Sequence, residues 1–297
     1  MIVVRLMGGM GNQMFQYAVG KQLALKRGVE LKLDLGFLLD RTPRKNFVFR
    51  NYDLDLFNVD VQIADKDDAL DYKYYDSVIV RKLVNLKTRL FNNKYKVVEE
   101  KNFHFDSTIL NLTDNSYLIG HWQSYRYFEN IADIIKKDFC FKNNLGEKAF
   151  ELSQKIKAEN SICLNVRRGD YINIPQANQH HGVCAMDYFN QAVEFMNSEV
   201  DNPQYYIFSD DIAWCRENFK LEAPSFFVDH QYKEDRFSGY LQLMKSCQHF
   251  IIPNSTFAWW AAWLSEYQDK VVVAPKKWFN NPKINTQDLI PSDWIRI

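Results

Sequence analysis

The chain has no charge excess of either sign. Lysine plus arginine number 37, and so do aspartate plus glutamate. A dedicated nucleic-acid binder carries a basic surplus, so the bulk charge excludes that class. Cysteine is scarce and scattered. The five residues stand at 140, 163, 184, 215 and 247, with no CxxC pair. An odd count at wide spacing argues against a disulfide framework or a zinc site and fits a reducing compartment. Long apolar runs are missing too: none nears the roughly 18 residues of a membrane-crossing helix. The opening MIVVRLMGGMGNQ is too short and wrongly flanked for a secretory signal. A cytoplasmic protein is expected.

What is present is an ordered globular composition: 46% apolar, 25% charged and 15% aromatic residues in 297. That length suits two domains. The aromatic bias serves packing first and is compatible with sugar binding. Residues 2–6 form an apolar run that breaks at Gly8-Gly9-Met10-Gly11. A helical pattern over 12–27 closes on Lys26-Arg27-Gly28, a cationic last turn and a helix-stopping glycine. Residues 30–35 alternate and predict a strand. The basic stretch 81–101 repeats Leu83, Leu86 and Leu90 at helical spacing. It reads as an amphipathic surface helix or as a peripheral membrane or acceptor-facing patch.

The polar segment 142–146 marks a boundary, giving an N-terminal lobe over 1–143 and a C-terminal lobe over 144–297. The second half alternates predicted strands (162–166, 205–208, 226–228, 250–252 and 271–273) with helices (187–197, 211–219, 234–246 and 256–266). This pattern predicts an α/β fold with a parallel sheet. Ligands of such sheets bind beyond the carboxyl ends of the strands. Those ends here carry Arg167-Arg168-Gly169-Asp170, Ser209-Asp210-Asp211, Asp229-His230-Gln231 and Asn254-Ser255-Thr256.

Each of these segments admits two readings. Arg167 and Arg168 can grip a diphosphate whose charge grows as a sugar bond breaks, or form a strand-end ion pair with Asp170. Asn254, Ser255, Thr256 and Phe257 open a helix whose backbone amides can hold phosphate, or simply cap it. Asp210 and Asp211 can bind ribose or base, or Asp211 can cap the next helix. Gly9-Met10-Gly11-Asn12-Gln13-Met14 half-matches a dinucleotide fingerprint, with Asp34 placed as the ribose acid. Alternatively it is a glycine turn that lets Asn12 and Gln13 face a cleft. His121, Trp122 and Gln123 suit a sugar acceptor, and Trp122 equally suits a core. His180, His181 and Cys184 lack a sensibly spaced third metal ligand. Asp53-Leu54-Asp55 matches a short acidic motif of metal-dependent glycosyltransferases but lies outside the strand-end cluster.

Six segments in order, GGMGNQMFQYA (8–18), GHWQSYRYF (120–128), NVRRGDYI (165–172), HGVC (181–184), FSDD (208–211) and NSTFAWWAAWL (254–264), resemble the alpha-1,2-fucosyltransferase family, bacterial type. The resemblance implies a GT-B-like fold of two Rossmann-like lobes with a cleft between them. It implies transfer of L-fucose from GDP-fucose to the 2-hydroxyl of a galactoside, with inversion and with neither metal nor cofactor. It places the donor at Asn12, Gln13, Asn165, Arg167, Arg168, Asp210, Asp211, Asn254, Ser255, Thr256 and Phe257. It places the galactose-containing acceptor at His121, Trp122, Gln123 and His181. Arg167 and Asp170 would be catalytic, with Asp170 or His181 as base. Asn165 stands where the family has histidine, and Gly239-Tyr240-Leu241 where it has an acidic residue. Both positions bear on the nucleobase. Work at the inner face of a membrane, on a surface or lipid-linked glycan, would follow. The other classes are a transferase using another nucleotide sugar, a nicotinamide oxidoreductase and a noncatalytic glycan-binding protein.

Overall fold

The computed structural model describes residues 1–44, 47–65, 68–69, 94–169, 172 and 175–297. Asp170, Tyr171 and most of the basic stretch 81–101, with Leu83, Leu86 and Leu90, lie outside the described residues. The chain divides into two compact units. One comprises Met1–Phe141 with Asn285–Leu289, the other Lys142–Ile284 with Ile290–Ile297. The return of 285–289 to the first unit has a local cause. Asp288 accepts the Phe105 backbone N–H at 3.1 Å and pairs with Arg126 at 3.2 Å.

The first unit is built on β1 (Ile2–Arg5), β2 (Leu31–Asp34), β3 (Gln62–Ile63), β4 (Lys96–Glu99) and β5 (Ser116–Ile119). Their order is β3-β2-β1-β5-β4, and every pairing is parallel. Helix α1 (Met10–Arg27) follows β1 directly and stops at Gly28. That residue adopts a left-handed φ of 64°, and its N–H closes the last turn on Ala24 and Leu25 carbonyls. Gly20 lets α1 lie close on the sheet: a Cβ there would stand 2.6 Å from Val4 Cγ2.

The second unit contains β6 (Ser161–Val166), β7 (Gln204–Ser209), β8 (Ser225–Val228), β9 (His249–Ile251), β10 (Val272–Ala274) and β11 (Ile295–Arg296). They lie in the order β11-β10-β9-β6-β7-β8, again with parallel pairings. Strand β6 is buried along its whole length, as a central parallel strand covered on both faces must be. Ile162, Leu164 and Val166 of β6 share a core cluster with Phe189, Ile207, Ile251 and Val273. The helices predicted after β6, β7 and β9 are found as Met186–Glu199, Ile212–Asn218 and Thr256–Leu264.

The helix predicted over 234–246 starts late, at Ser238. Glu234, Arg236 and Phe237 all have left-handed φ, between 49° and 61°. The chain folds back tightly here, with the Gly239 N–H bonded to the Lys233 carbonyl at 3.0 Å. A Cβ on Gly239 would lie 2.3 Å from the Tyr232 carbonyl oxygen, so only glycine fits. A periodicity argument sees none of this.

Each unit is built on a parallel α/β sheet, the fold class expected. In each, strand order reverses once: between β1 and β5 in the first, and between β6 and β9 in the second. Ligands of open parallel sheets bind at such switch points, beyond the carboxyl ends.

Candidate functional sites at two switch points

In the second unit the loop after β6 is Arg167-Arg168-Gly169. It is organised from the next strand over. Asp210, at the end of β7, receives the Arg168 backbone N–H at 2.9 Å and the Gly169 N–H at 3.0 Å. The same carboxylate pairs with Arg167 Nη1 at 2.7 Å. Gly169 is required by this embrace, because a Cβ would stand 2.6 Å from Asp210 Oδ2. Among the described residues the pin is a carboxylate that sequence proximity does not reveal, and the ion pair expected with Asp170 falls outside them. Asp210 thus holds the turn and orients Arg167.

The two arginines part company. Arg168 Cζ lies 3.7 Å from the centroid of the Trp214 ring, and its Nε meets Asp211 Oδ2 at 3.3 Å. Asp211 also caps the following helix by accepting the Trp214 N–H at 3.3 Å. Arg168 is thus spent on cation–π packing and an ion pair. Arg167 keeps a partly exposed side chain.

Across the switch point, the loop after β9 leads into the helix Thr256–Leu264. Asn254 is buried, and its side-chain amide donates to the His181 carbonyl at 2.9 Å and the Trp278 carbonyl at 3.1 Å. The Cys184 thiol donates to Asn254 Oδ1 at 3.6 Å. Asn254 thus clamps the HGVC segment rather than reaching outward. Ser255 occupies the N-cap position with extended backbone, but its hydroxyl makes no capping bond to the helix. Thr256 and Phe257 are partly exposed in the first turn. The helix behind them is anchored by Trp259, Trp260 and Trp263, whose rings pack on one another. His181 is partly exposed, and its ring packs on His180 and Phe279.

Asn165 stands near the end of β6, and Tyr240 lies in the helix Ser238–Lys245. The Asn165 amide donates to the Phe208 carbonyl at 3.2 Å. The Tyr240 hydroxyl donates to the Val228 carbonyl at 2.7 Å, and its ring packs on Phe208, His230 and Phe237. Neither Asn165 nor Tyr240 is more than marginally exposed.

The first unit has a different chemistry at its switch point. Gly8 carries a φ of 79° and leaves room for Asn12, whose Nδ2 would lie 2.4 Å from a Cβ there. Asn12 Oδ1 accepts from Gln123 Nε2 at 2.8 Å, which ties the β1 loop to the β5 loop. Gln13 is fully buried. It donates to the carbonyls of Gly8 and Asn51 and accepts the Asp53 N–H at 2.9 Å. The expectation that Gln13 faces a ligand is thereby corrected: its amide is consumed by backbone, and it ties the β1 loop to Asn51 and to Asp53, the residue before the 3-10 turn Leu54–Leu56. Gln16 does similar work, accepting the Met7 N–H and donating to the Gly120 carbonyl, both at 3.0 Å.

Asp34, placed by the half-fingerprint as a ribose acid, is buried. It accepts from the Tyr117 hydroxyl and from the Gly36 N–H at 2.7 Å. Its oxygens are committed to the fold, which removes the residue on which a dinucleotide reading depended.

The loop Gly120–Ser124 carries backbone strain. Trp122 has a left-handed φ of 56°, and strain of that kind gathers at functional sites. Trp122 Nε1, Gln123 Oε1 and Ser124 Oγ are buried without a hydrogen-bond partner. One residue that sequence reasoning missed sits beneath this loop. Glu100, just past β4, accepts the His121 N–H at 2.7 Å through Oε2 and the Trp122 N–H at 2.9 Å through Oε1. Burial pushes its carboxyl up to about 7 against the pull of these two donors. Its only advance signal was position, one residue past a strand in a predicted acceptor lobe.

Among the described residues no helix is long and apolar enough to cross a membrane. The sequence model of glycosyl transferase family 11 matches residues 72–297. An alpha-1,2-colitosyltransferase of Escherichia coli is 32% identical across 100% of this chain and 98% of its own length. The galactoside alpha-(1,2)-fucosyltransferase 2 of Sus scrofa is 25% identical over 57% of this chain and 49% of its own. Among solved structures, fucosyltransferase NodZ from Bradyrhizobium aligns over 88% of this chain and 91% of that one, with 13% identity and a TM-score of 0.46. Taken with the two parallel sheets and their polar switch points, the match over three-quarters of the sequence places this chain in glycosyl transferase family 11, and it is a glycosyltransferase.

Proposed function

We propose that the chain transfers L-fucose from GDP-fucose to the 2-hydroxyl of a galactoside, inverting the anomeric carbon in a single displacement. The second unit binds the donor and the first receives the acceptor. The observation that supports this most is Arg167. It is a partly exposed guanidinium at the β6–β9 switch point, oriented by Asp210. There it stabilises the diphosphate as negative charge develops on it, the kind of help worth several kcal/mol in a low-dielectric site. Ser255 and Thr256, opening a helix across the same switch point, offer hydroxyls and a helix N-terminus to the phosphates. His121, Trp122 and Gln123 form the acceptor side. No metal or cofactor is assigned a role. The acceptor glycan belongs to a surface or lipid-linked saccharide, modified at the inner face of a membrane.

A second reading keeps the chemistry and changes the sugar. A relative alike over its whole length is named a colitosyltransferase. Colitose is L-fucose without its 3-hydroxyl, so one pocket contact separates the two donors. Nucleotide release from GDP-fucose, GDP-colitose, UDP-galactose and GDP-mannose, each with a lactose-type acceptor and with or without chelator, tests both. Release from GDP-fucose in chelator is the expected result. Release from GDP-colitose alone selects the second reading. Metal-dependent release from a UDP-sugar rejects both, and acceptor binding without release from any donor makes the chain a lectin.

A further inference from the structure

A fucosyl transfer to a hydroxyl must dispose of a proton. Asp170 lies outside the described residues, and His181 is packed against Phe279. Asp34 is buried and committed to Tyr117 and Gly36. Glu100 differs. It is partly exposed, and among the described residues it pairs with no cation. Each oxygen accepts a single backbone N–H, and a carboxylate oxygen has a further lone pair. The two amides fix the plane of the carboxylate, so it is preorganised rather than mobile. Gly120 preserves this arrangement. A Cβ there would stand 2.4 Å from Glu100 Cβ and 2.9 Å from its Oε2.

We propose that Glu100 is the general base of the reaction, taking the proton from the acceptor hydroxyl bound at the 120–124 loop. The inference rests on the fucosyl-transfer reading above. In the step, the acceptor oxygen forms a bond to the anomeric carbon as its O–H bond breaks. The proton passes to a Glu100 oxygen. The bond from the anomeric carbon to the donor phosphate breaks, and its electron pair leaves on GDP. Glu100 then returns the proton to solvent. The raised carboxyl suits the task, since a base works best with a pKa near the working pH. The titratable groups facing it are His121, whose N–H it holds, and Tyr127, whose hydroxyl it helps to keep protonated. Glu99 and Lys101 flank it in sequence.

The test is the pH dependence of acceptor kcat/KM, from about pH 5 to about pH 9, for the full-length wild type, Glu100→Gln and Glu100→Ala, with GDP affinity measured in parallel. In wild type the rate should rise through one inflection near neutrality. Glu100→Gln should lose that inflection and about 10²- to 10⁴-fold in kcat, with GDP binding unchanged. Added formate, a small carboxylate, should partly restore Glu100→Ala. The idea is overturned if Glu100→Gln keeps the wild-type inflection, if only its acceptor KM rises, or if formate gives no recovery in a Glu100→Ala protein that binds GDP normally. Should both variants lose GDP binding, the wild-type profile decides: an inflection supports the base and a flat profile rejects it. Failure of the donor reading looks different, because wild type would then release no GDP from GDP-fucose at any pH. The profile would then be measured with the donor that does turn over.

Discussion

The two switch points of this molecule solve the same topological problem with opposite chemistry. Beyond β6, a guanidinium is held by a carboxylate: Asp210 gathers Arg167 and two backbone amides into one turn. Beyond β1 and β5 the ties are neutral amides, Asn12 to Gln123 and Gln16 to Gly120, with a single carboxyl, Glu100, under the loop. The difference matches what each end would handle. A departing diphosphate carries growing negative charge, which a fixed cation stabilises. An acceptor sugar is neutral, and hydroxyls are held by groups that both give and accept hydrogen bonds.

The comparison can be broken most severely on the charged side. Arg167→Ala should lower kcat/KM by about 10²-fold or more while acceptor affinity stays near wild type. Steady-state kinetics with each substrate varied checks this, and near-normal turnover would remove Arg167 from the mechanism. Asp210→Ala should cost about 10- to 100-fold, because it displaces Arg167 without deleting it. Gly169→Ala should resemble it, since its Cβ would meet Asp210 Oδ2 at 2.6 Å. If Asp210→Ala is silent, the turn is held by something other than this carboxylate. The neutral side should answer more mildly. Gln123→Ala severs the tie to Asn12, a bond worth about 1 kcal/mol, so acceptor KM should rise roughly fivefold. GDP binding, followed calorimetrically, should not move. A loss of GDP affinity in Gln123→Ala would mean that the two ends do not divide the substrates as proposed.

Much of the fold was legible because it depends on short-range patterns. The apolar run of β6, the glycine that ends α1 and the strand-helix alternation of the second half all follow from local periodicity and capping. The late helix start at Ser238 was not legible. It turns on the contact between Gly239 and the Tyr232 carbonyl, which no spacing rule encodes. The candidate sites divide in the same way. Arg167 was found because residue type and strand-end phase coincide. Gln13 was misjudged because a buried and an exposed glutamine look alike in a sequence.

By itself, then, the sequence determined that strand ends would carry the chemistry, and its six ordered segments identified the family. Only the tertiary structure decided which side chains at those ends face outward. Asp210 reaches back across 41 residues to hold Gly169, and Glu100 reaches forward to His121, because parallel pairing sets the ends of β6 and β7, and of β4 and β5, side by side. That adjacency is a property of the sheet. A residue's own neighbours in sequence cannot show which carboxylate will be consumed by a backbone amide, which will be paired with a cation, and which will be left close to its neutral form.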